Sequence, residues 1–154
     1  MIRIGEILFP EQILVDVRAF TREEAVQAVA ETLRRDERVK DWNRFLTSLN
    51  ECDRSSRINL GLGITIPHSR TSSVTDMVMA FGRLTVPLST STGKITYILV
   101  IGIPETMDAE YLRLVGLLLR VFRDEELRLH LDEAKNPSEV LKVFADGERI
   151  LGKR

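Results

Sequence analysis

MVMAFGRL at residues 77–84 and ITYILVIGI at residues 95–103 decide the fold, because both stretches are almost entirely apolar. Apolar runs of this length predict strands, and Pro87 with a Ser-Thr turn ending at Gly93 separates them. A strand without polar alternation needs cover on both of its faces. The two runs therefore predict central strands of a sheet with helices packed on either side, rather than a hairpin open to water.

Amphipathic helices are predicted before and after this strand region. Thr21 with Glu24 three residues later forms a capping box, and the apolar stripe that follows predicts a helix ending near Asp36. A second stripe runs from Trp42 to Cys52, and a third spans 112–122, with Leu112 on its apolar face. Helices, strands and helices in that order predict an α/β sandwich with a mixed sheet flanked by helices on both faces.

The C-terminal segment carries its own helix signals. Asn136, Pro137 and Glu139 stand in the order of a cap, a first-turn proline and a capping glutamate, which predicts a helix ending near Ala145, before Gly147. A chain of 154 residues is the usual size of one domain. We therefore expect a single domain over 1–154, with a core at about 3–146 and a short tail at 147–154.

Composition excludes several classes of function. The formal net charge of −1 lacks the basic excess of nucleic-acid binders, so no nucleic-acid partner is expected. No apolar run approaches the roughly 20 residues of a membrane span, and no signal-peptide pattern follows Met1. The single cysteine, Cys52, cannot form an internal disulfide. We expect a cytoplasmic protein without membrane insertion.

Charge is distributed unevenly along the chain. Between Arg54 and Pro104 the only carboxylate is Asp76, whereas the same segment contains four further basic residues, Arg57, Arg70, Arg83 and Lys94. Such a segment would attract a small anion or an acidic partner surface. Strands that exclude carboxylates from a core explain the missing acids equally well, and both interpretations stay open.

One motif can carry chemistry, GLGITIPHSR at residues 61–70. Its glycines permit close backbone approach, and Pro67 sets the direction in which His68 leaves the strand. A neutral imidazole is a nucleophile for phosphoryl transfer, with Arg70 and the Thr65 and Ser69 hydroxyls nearby to hold phosphate oxygens. The alternative is a histidine that merely ends a strand. Because the chain has only two histidines and one cysteine, no metal site is expected.

The motif resembles the active-site sequence Gly-x-Gly-Ile-x-Ile-Pro-His-x-Arg of the EIIA components of bacterial phosphotransferase systems, of the fructose, mannitol and nitrogen-regulatory type. The strand pair that follows, the Ile103-Pro104-Glu105 strand end, the helix from Tyr111 and the segment 124–137 occur in the family's order. The resemblance implies a five-stranded mixed sheet and a phosphocarrier that uses no cofactor. It implies that His68 accepts phosphate from an HPr-like carrier and passes it to an EIIB domain or signals by its phosphorylation state.

Three family positions differ in this chain. Cys52-Asp53 stands where the family usually has Arg-Glu, so Arg54 is the candidate substitute, and Ile58-Asn59 replaces a Thr-Gly pair. Tyr111 replaces the family's second active-site histidine, and His130 does not align with it. Tyr111 can donate a hydrogen bond but supplies no positive charge.

Because of these differences, a phosphorylation-deficient EIIA-like binding module remains the main alternative. A hydrolase with His68 as general base is weaker, because no nucleophile or carboxylate partner is visible. Leu60 and Leu62 are the candidate residues for docking a carrier protein.

Overall fold

The computed structural model describes residues 3–55, 61–91 and 93–152, apart from the side chains of residues 52–55. Within this part of the chain the α-helices are α1 (Ile4–Ile7), α2 (Arg22–Glu31), α3 (Trp42–Ser55), α4 (Asp108–Arg123), α5 (Glu125–Glu133) and α6 (Pro137–Leu151), and a short 3-10 helix spans Pro10–Gln12. The strands are β1 (Ile13–Val17), β2 (Ile64–Thr65), β3 (His68–Arg70), β4 (Val78–Thr90) and β5 (Gly93–Ile103).

The sheet is mixed and is built around the antiparallel pair β4 and β5. β1 lies parallel to β4 on one side of this pair. On the other side, β2 and β3 both run parallel to β5, and His68 stands opposite Ile101. The described residues thus form the five-stranded mixed sheet that the family resemblance implies.

Helices cover both faces of the sheet. Met79 and Phe81 of β4 belong to one buried cluster, which also contains residues of α1, α4, α5 and α6. Val78 and Ala80 point the other way, into a second cluster formed with α2 and α3. Successive side chains of β4, and likewise of β5, therefore point into two different apolar clusters. For this reason the sequences of these strands show no alternation of apolar and polar residues. The predicted sandwich with helices on both faces is confirmed.

The predicted helix starts are confirmed by their caps. Thr21 Oγ1 accepts a hydrogen bond from the backbone N–H of Glu24 at 3.1 Å. Asn136 Oδ1 accepts one from the backbone N–H of Glu139 at 2.9 Å. Each cap satisfies a donor that the first helical turn would otherwise leave without a partner.

The predicted end of the last helix near Ala145 is wrong. α6 continues through Gly147 to Leu151, so residues 147–151 are helix rather than tail. Gly147 is buried, and a Cβ atom there would lie 2.7 Å from Cγ2 of Val121 in α4. The glycine permits close packing of α6 against α4 and does not end the helix.

A partly buried ion pair links the N-terminal segment to the sheet. Asp36 and Arg38 interact at 2.6 Å, and the Arg38 guanidinium also donates to the carbonyl oxygens of Ile7 and Met77. Burial opposes ionisation of Asp36, but hydrogen bonds from the Arg38 side chain and backbone and from Gln12 outweigh it. They lower the pKa of Asp36 to about 2. This ion pair therefore stabilises the fold only while Asp36 is ionised.

Candidate functional site

His68 is the first residue of β3, on the edge of the sheet, and its side chain is partly exposed. Its Nδ1 atom lies 2.8 Å from the carbonyl oxygen of Ile66. A carbonyl oxygen only accepts hydrogen bonds, so Nδ1 must carry the ring proton. In the neutral ring the lone pair is then on Nε2. The backbone of the motif thus selects one tautomer and one nucleophilic nitrogen.

The glycines of the motif have the backbone geometry that requires glycine. Gly61 and Gly63 adopt φ angles of 68° and 70°, which other residues rarely reach. A Cβ atom on Gly63 would also lie 3.2 Å from Nη2 of Arg128. Nη1 of Arg128 donates to the carbonyl oxygen of Leu62 at 2.5 Å and so ties the loop to α5. The loop that leads to His68 is therefore held by backbone conformation and by a cation.

Tyr111, in the first turn of α4, lies beside His68. The two ring centroids are 5.5 Å apart and the ring planes are inclined by 31°. Burial raises the pKa of Tyr111 to about 12, so its hydroxyl stays protonated at physiological pH. Tyr111 therefore offers a neutral hydrogen-bond donor at the position where the family has a histidine.

Arg70 follows His68 by two residues on the same face of β3, and its side chain is engaged by acidic partners. Its Nε atom donates to Oδ1 of Asp108 at 2.9 Å, and Nη2 donates to the carbonyl oxygen of Glu105 at 2.8 Å. Its Nη1 atom lies 3.9 Å from Oε2 of Glu105. The sequence pointed to Arg70 but not to its partners Asp108 and Glu105. Acidic residues near the start of a helix are common because they interact favourably with the helix dipole, so they gave no sign of an ion pair.

The two hydroxyls predicted to support phosphate lie on the opposite face of the sheet. Ser69 alternates away from His68, is fully buried, and shares a hydrogen bond with the Ser48 hydroxyl of α3. Thr65 is buried, and its Oγ1 accepts a hydrogen bond from Nη2 of Arg22 at 2.6 Å. The structure does not bring either hydroxyl to the imidazole. Ser69 follows His68 directly in β3, and alternate residues of a strand face opposite sides. Thr65 lies in β2 opposite Ile98, which points into the second cluster, whereas His68 lies opposite Ile101 of the first. No sequence signal pointed to Arg22.

The remaining predicted residues are placed as follows. Leu62 is partly buried and packs against the cluster beneath α4. Leu60 and the side chain of Arg54 lie outside the described residues, although the backbone of Arg54 belongs to α3. His130 is exposed on α5, as the sequence predicted.

Neither metal ligation nor a membrane span is visible in the described part of the chain. Among residues 3–55, 61–91 and 93–152, the side chains of 52–55 apart, no three histidine, cysteine or carboxylate side chains converge as metal ligands would. Over the same ranges, no helix has both the length and the apolar character needed to span a bilayer.

Fold and site together define a class of α/β sandwich proteins. In this class an edge strand carries one imidazole whose Nδ1 is hydrogen-bonded to the backbone. A sequence profile described as "Phosphoenolpyruvate-dependent sugar phosphotransferase system, EIIA 2" matches residues 6–147. The chain belongs to this family, which confirms the resemblance seen in the motif. Membership supports a phosphocarrier or regulatory role in a phosphotransferase system.

Curated relatives carry both transport and regulatory names. The 2-O-alpha-mannosyl-D-glycerate-specific EIIABC component of Escherichia coli is 22% identical over 95% of this chain, which spans 23% of that protein's length. The nitrogen regulatory protein of Pseudomonas aeruginosa is 23% identical over 95% of this chain and 97% of its own length.

Solved structures confirm the architecture. The crystal structure of nitrogen regulatory protein IIA-Ntr from Neisseria meningitidis matches with a TM-score of 0.82 and 24% identity. The match covers 92% of this chain and 98% of that one.

Proposed function

We propose that this chain is a histidine phosphocarrier of the nitrogen-regulatory EIIA kind, with His68 as its phosphorylated residue. The observation that carries the proposal is the 2.8 Å contact between His68 Nδ1 and the Ile66 carbonyl oxygen, which leaves the lone pair on Nε2. A partly exposed position on an edge strand leaves this ring within reach of a docking donor. Family membership supplies the matching chemistry.

The transfer step uses these groups in a simple order. The Nε2 lone pair attacks the phosphorus of a phosphohistidine on an HPr-like carrier, and a new P–N bond forms. The donor's P–N bond breaks, and its electron pair returns to the donor's ring nitrogen. His68 keeps its Nδ1 proton and its ring gains positive charge, which strengthens the hydrogen bond to Ile66. Positioning and charge stabilisation are most of what such a transfer requires.

The surrounding residues divide into two groups in this proposal. Arg70 and Tyr111 lie on the same face of the sheet as the imidazole. Arg70 supplies a cation and Tyr111 a neutral hydrogen-bond donor for phosphoryl oxygens. Thr65 and Ser69 act from the opposite face, where their hydrogen bonds hold the two short strands that carry the motif. Arg54 remains a candidate for a second cation near the phosphate.

The proposed partners are proteins of the same relay. An HPr-like carrier donates the phosphoryl group, and an EIIB domain or a regulatory target receives either the group or the signal. The Escherichia coli relative, named as an EIIABC component, supports the EIIB assignment, and the Pseudomonas relative supports the regulatory one. Leu60 and Leu62 are proposed to contact the carrier. We expect this relay to work in the cytoplasm, without a metal or organic cofactor.

A specific observation favours the alternative of a binding module without phosphotransfer. The guanidinium of Arg70 is already hydrogen-bonded to Asp108 and to the Glu105 carbonyl, and Tyr111 brings no charge to the site. If these contacts persist when a donor docks, the site lacks a cation for the phosphoryl group. The protein would then act by binding a partner through the same face.

Phosphorylation in a reconstituted relay separates the two functions. The protein is incubated with Enzyme I, an HPr-type donor and labelled phosphoenolpyruvate, and acid-labile, base-stable label on the chain is measured. We expect label on the wild type, its loss in His68→Ala, and its retention in His130→Ala. His130 is a matched control because it is exposed on α5. Absence of label with several donors would favour the binding module.

A further inference from the structure

Arg70 joins the proposed phosphorylation site to the start of α4. Two of its donors are used within the segment 105–108, one on the Asp108 carboxylate and one on the Glu105 carbonyl. The carboxylate of Glu105 adds a longer contact at 3.9 Å. About half of the Arg70 and Asp108 side chains is exposed, so water screens this ion pair and keeps it weak. A stronger anion nearby can therefore compete for the guanidinium.

The phosphoryl group on His68 would be such an anion. His68 and Arg70 are two residues apart on one face of β3, a separation of roughly 7 Å between their backbones. An arginine side chain is long enough to cover this distance. Its planar fork matches phosphate oxygens bidentately, whereas here Asp108 accepts only one of its hydrogen bonds. The phosphoryl group therefore competes favourably once it is present.

β3 and α4 contact each other through two pairs of side chains. Tyr111 faces His68, and Asp108, one helical turn earlier, faces Arg70. A change of partner by Arg70 therefore acts directly on the first residue of α4. Asp108 loses little when it is released, because a carboxylate at the N-terminus of a helix is favoured by the helix dipole.

We propose that Arg70 exchanges partners when His68 is phosphorylated, leaving Asp108 and Glu105 for the phosphoryl oxygens, so that the segment 105–108 reports the phosphorylation state. This inference rests on the proposed function and names the element by which the site would signal. Asp108 is a positioning residue in this account. It holds the Arg70 guanidinium at the start of α4 before transfer and competes with the phosphoryl group afterwards.

Asp108→Asn tests the competition, and Glu110→Gln is its matched control. Glu110 is a carboxylate of the same helical turn, so its variant changes the local charge by the same amount. Removal of a half-exposed ion pair is expected to raise the equilibrium constant for phosphoryl transfer from an HPr-type donor to the chain by about two- to fivefold. Glu110→Gln should change this equilibrium constant by less than half as much.

NMR spectra of the phosphorylated and unphosphorylated chain supply a readout besides transfer. Phosphorylation should shift the Arg70 Nε–H signal and the amide signals of residues 105–107 in the wild type and in Glu110→Gln. In Asp108→Asn the unphosphorylated Arg70 signal should already lie away from its wild-type position, because a neutral amide oxygen replaces the charged carboxylate as its acceptor.

The outcomes distinguish this inference from the proposed function. A wild type that takes no label overturns both. A wild type that is labelled, with an unmoved Arg70 signal and equal behaviour of the two variants, overturns the exchange alone and leaves the phosphocarrier intact.

Discussion

Replacement of Tyr111 by histidine tests whether the altered family position limits phosphoryl transfer. Tyr111 lies 5.5 Å from His68 between ring centroids, and burial raises its pKa to about 12, so the native ring is a neutral donor. Tyr111→His places an imidazole at this distance. Below about pH 6.5 that imidazole is largely protonated and can stabilise the incoming dianion as a cation.

The expected magnitude follows from the distance. Two unit charges separated by the 5.5 Å between these rings attract by about 3 kcal/mol at an effective dielectric constant of about 20. The position is partly exposed to water, and the imidazole is only partly protonated near neutral pH. These two effects reduce the net gain to about 1 kcal/mol, or roughly a fivefold faster uptake of phosphate.

The assay is the initial rate of label transfer from an HPr-type donor at pH 6 and at pH 8. Tyr111→His should exceed the wild type by about fivefold at pH 6, and the advantage should fade toward pH 8 as the imidazole loses its proton. Tyr111→Phe is the control, since it keeps the ring and removes the donor, and it should be slower than the wild type at both pH values. An unchanged rate for Tyr111→His at pH 6 would refute the argument that charge at this position matters.

Asp36→Asn should reduce the loss of stability at acid pH. The pKa of Asp36 is lowered to about 2, so ionised Asp36 contributes roughly 2 kcal/mol to the free energy of unfolding, and this contribution is lost as pH falls below about 5. Urea unfolding should show about 1 kcal/mol less loss between pH 5 and pH 3 than the wild type, and parallel profiles would contradict this. Gly102→Ala should lower the unfolding free energy by about 1–3 kcal/mol, since a Cβ would lie 2.8 Å from Cε1 of Phe45, whereas Gly5→Ala, with open space, should not. A Gly102→Ala melting temperature equal to that of the wild type would count against this packing. Thr65→Val removes the acceptor for the α2 guanidinium and should cost about 1 kcal/mol in thermal unfolding, which an unchanged melting temperature would exclude.

The layered fold could be predicted because strands that are buried on both faces consist of continuous apolar runs. Most of residues 77–84 and 95–103 are buried by helices on both faces, so the length and apolar character of the two runs identified them as strands. What the apolar runs could not show is how far β4 and β5 extend beyond the covered region. β4 reaches Thr90, and its outer part, with Val86 71% exposed, forms a hairpin that leaves the helical layers.

Two sequence-based predictions about the helices are wrong for the same physical reason. The sequence pattern predicts a helix end before Gly147, but α6 continues through this residue, where the missing side chain permits tight packing against α4. The pattern also predicts Leu112 on the apolar face of α4, whereas Leu112 is 69% exposed and Leu114 and Leu117 are buried instead. In both cases the neighbouring element decides, and a single-helix pattern does not contain that information.

At the site, the motif identified His68 and the family position identified Tyr111 as its neighbour. The sequence could not show that Arg70 pairs with Asp108, because 37 residues separate the two along the chain. It also could not assign Ser69 to the opposite face without knowing that β3 begins at His68. Strand register, which depends on long-range pairing with β5, sets both facts.

The most direct test of the account is to identify which ring nitrogen of His68 carries phosphate. Chain with nitrogen-labelled histidine is phosphorylated by an HPr-type donor, and the couplings of phosphorus to the two imidazole nitrogens are read by NMR. Because Nδ1 is hydrogen-bonded to the Ile66 carbonyl, we predict a P–N bond at Nε2 and a retained proton on Nδ1. Phosphate on Nδ1, or on a residue other than His68, would contradict it.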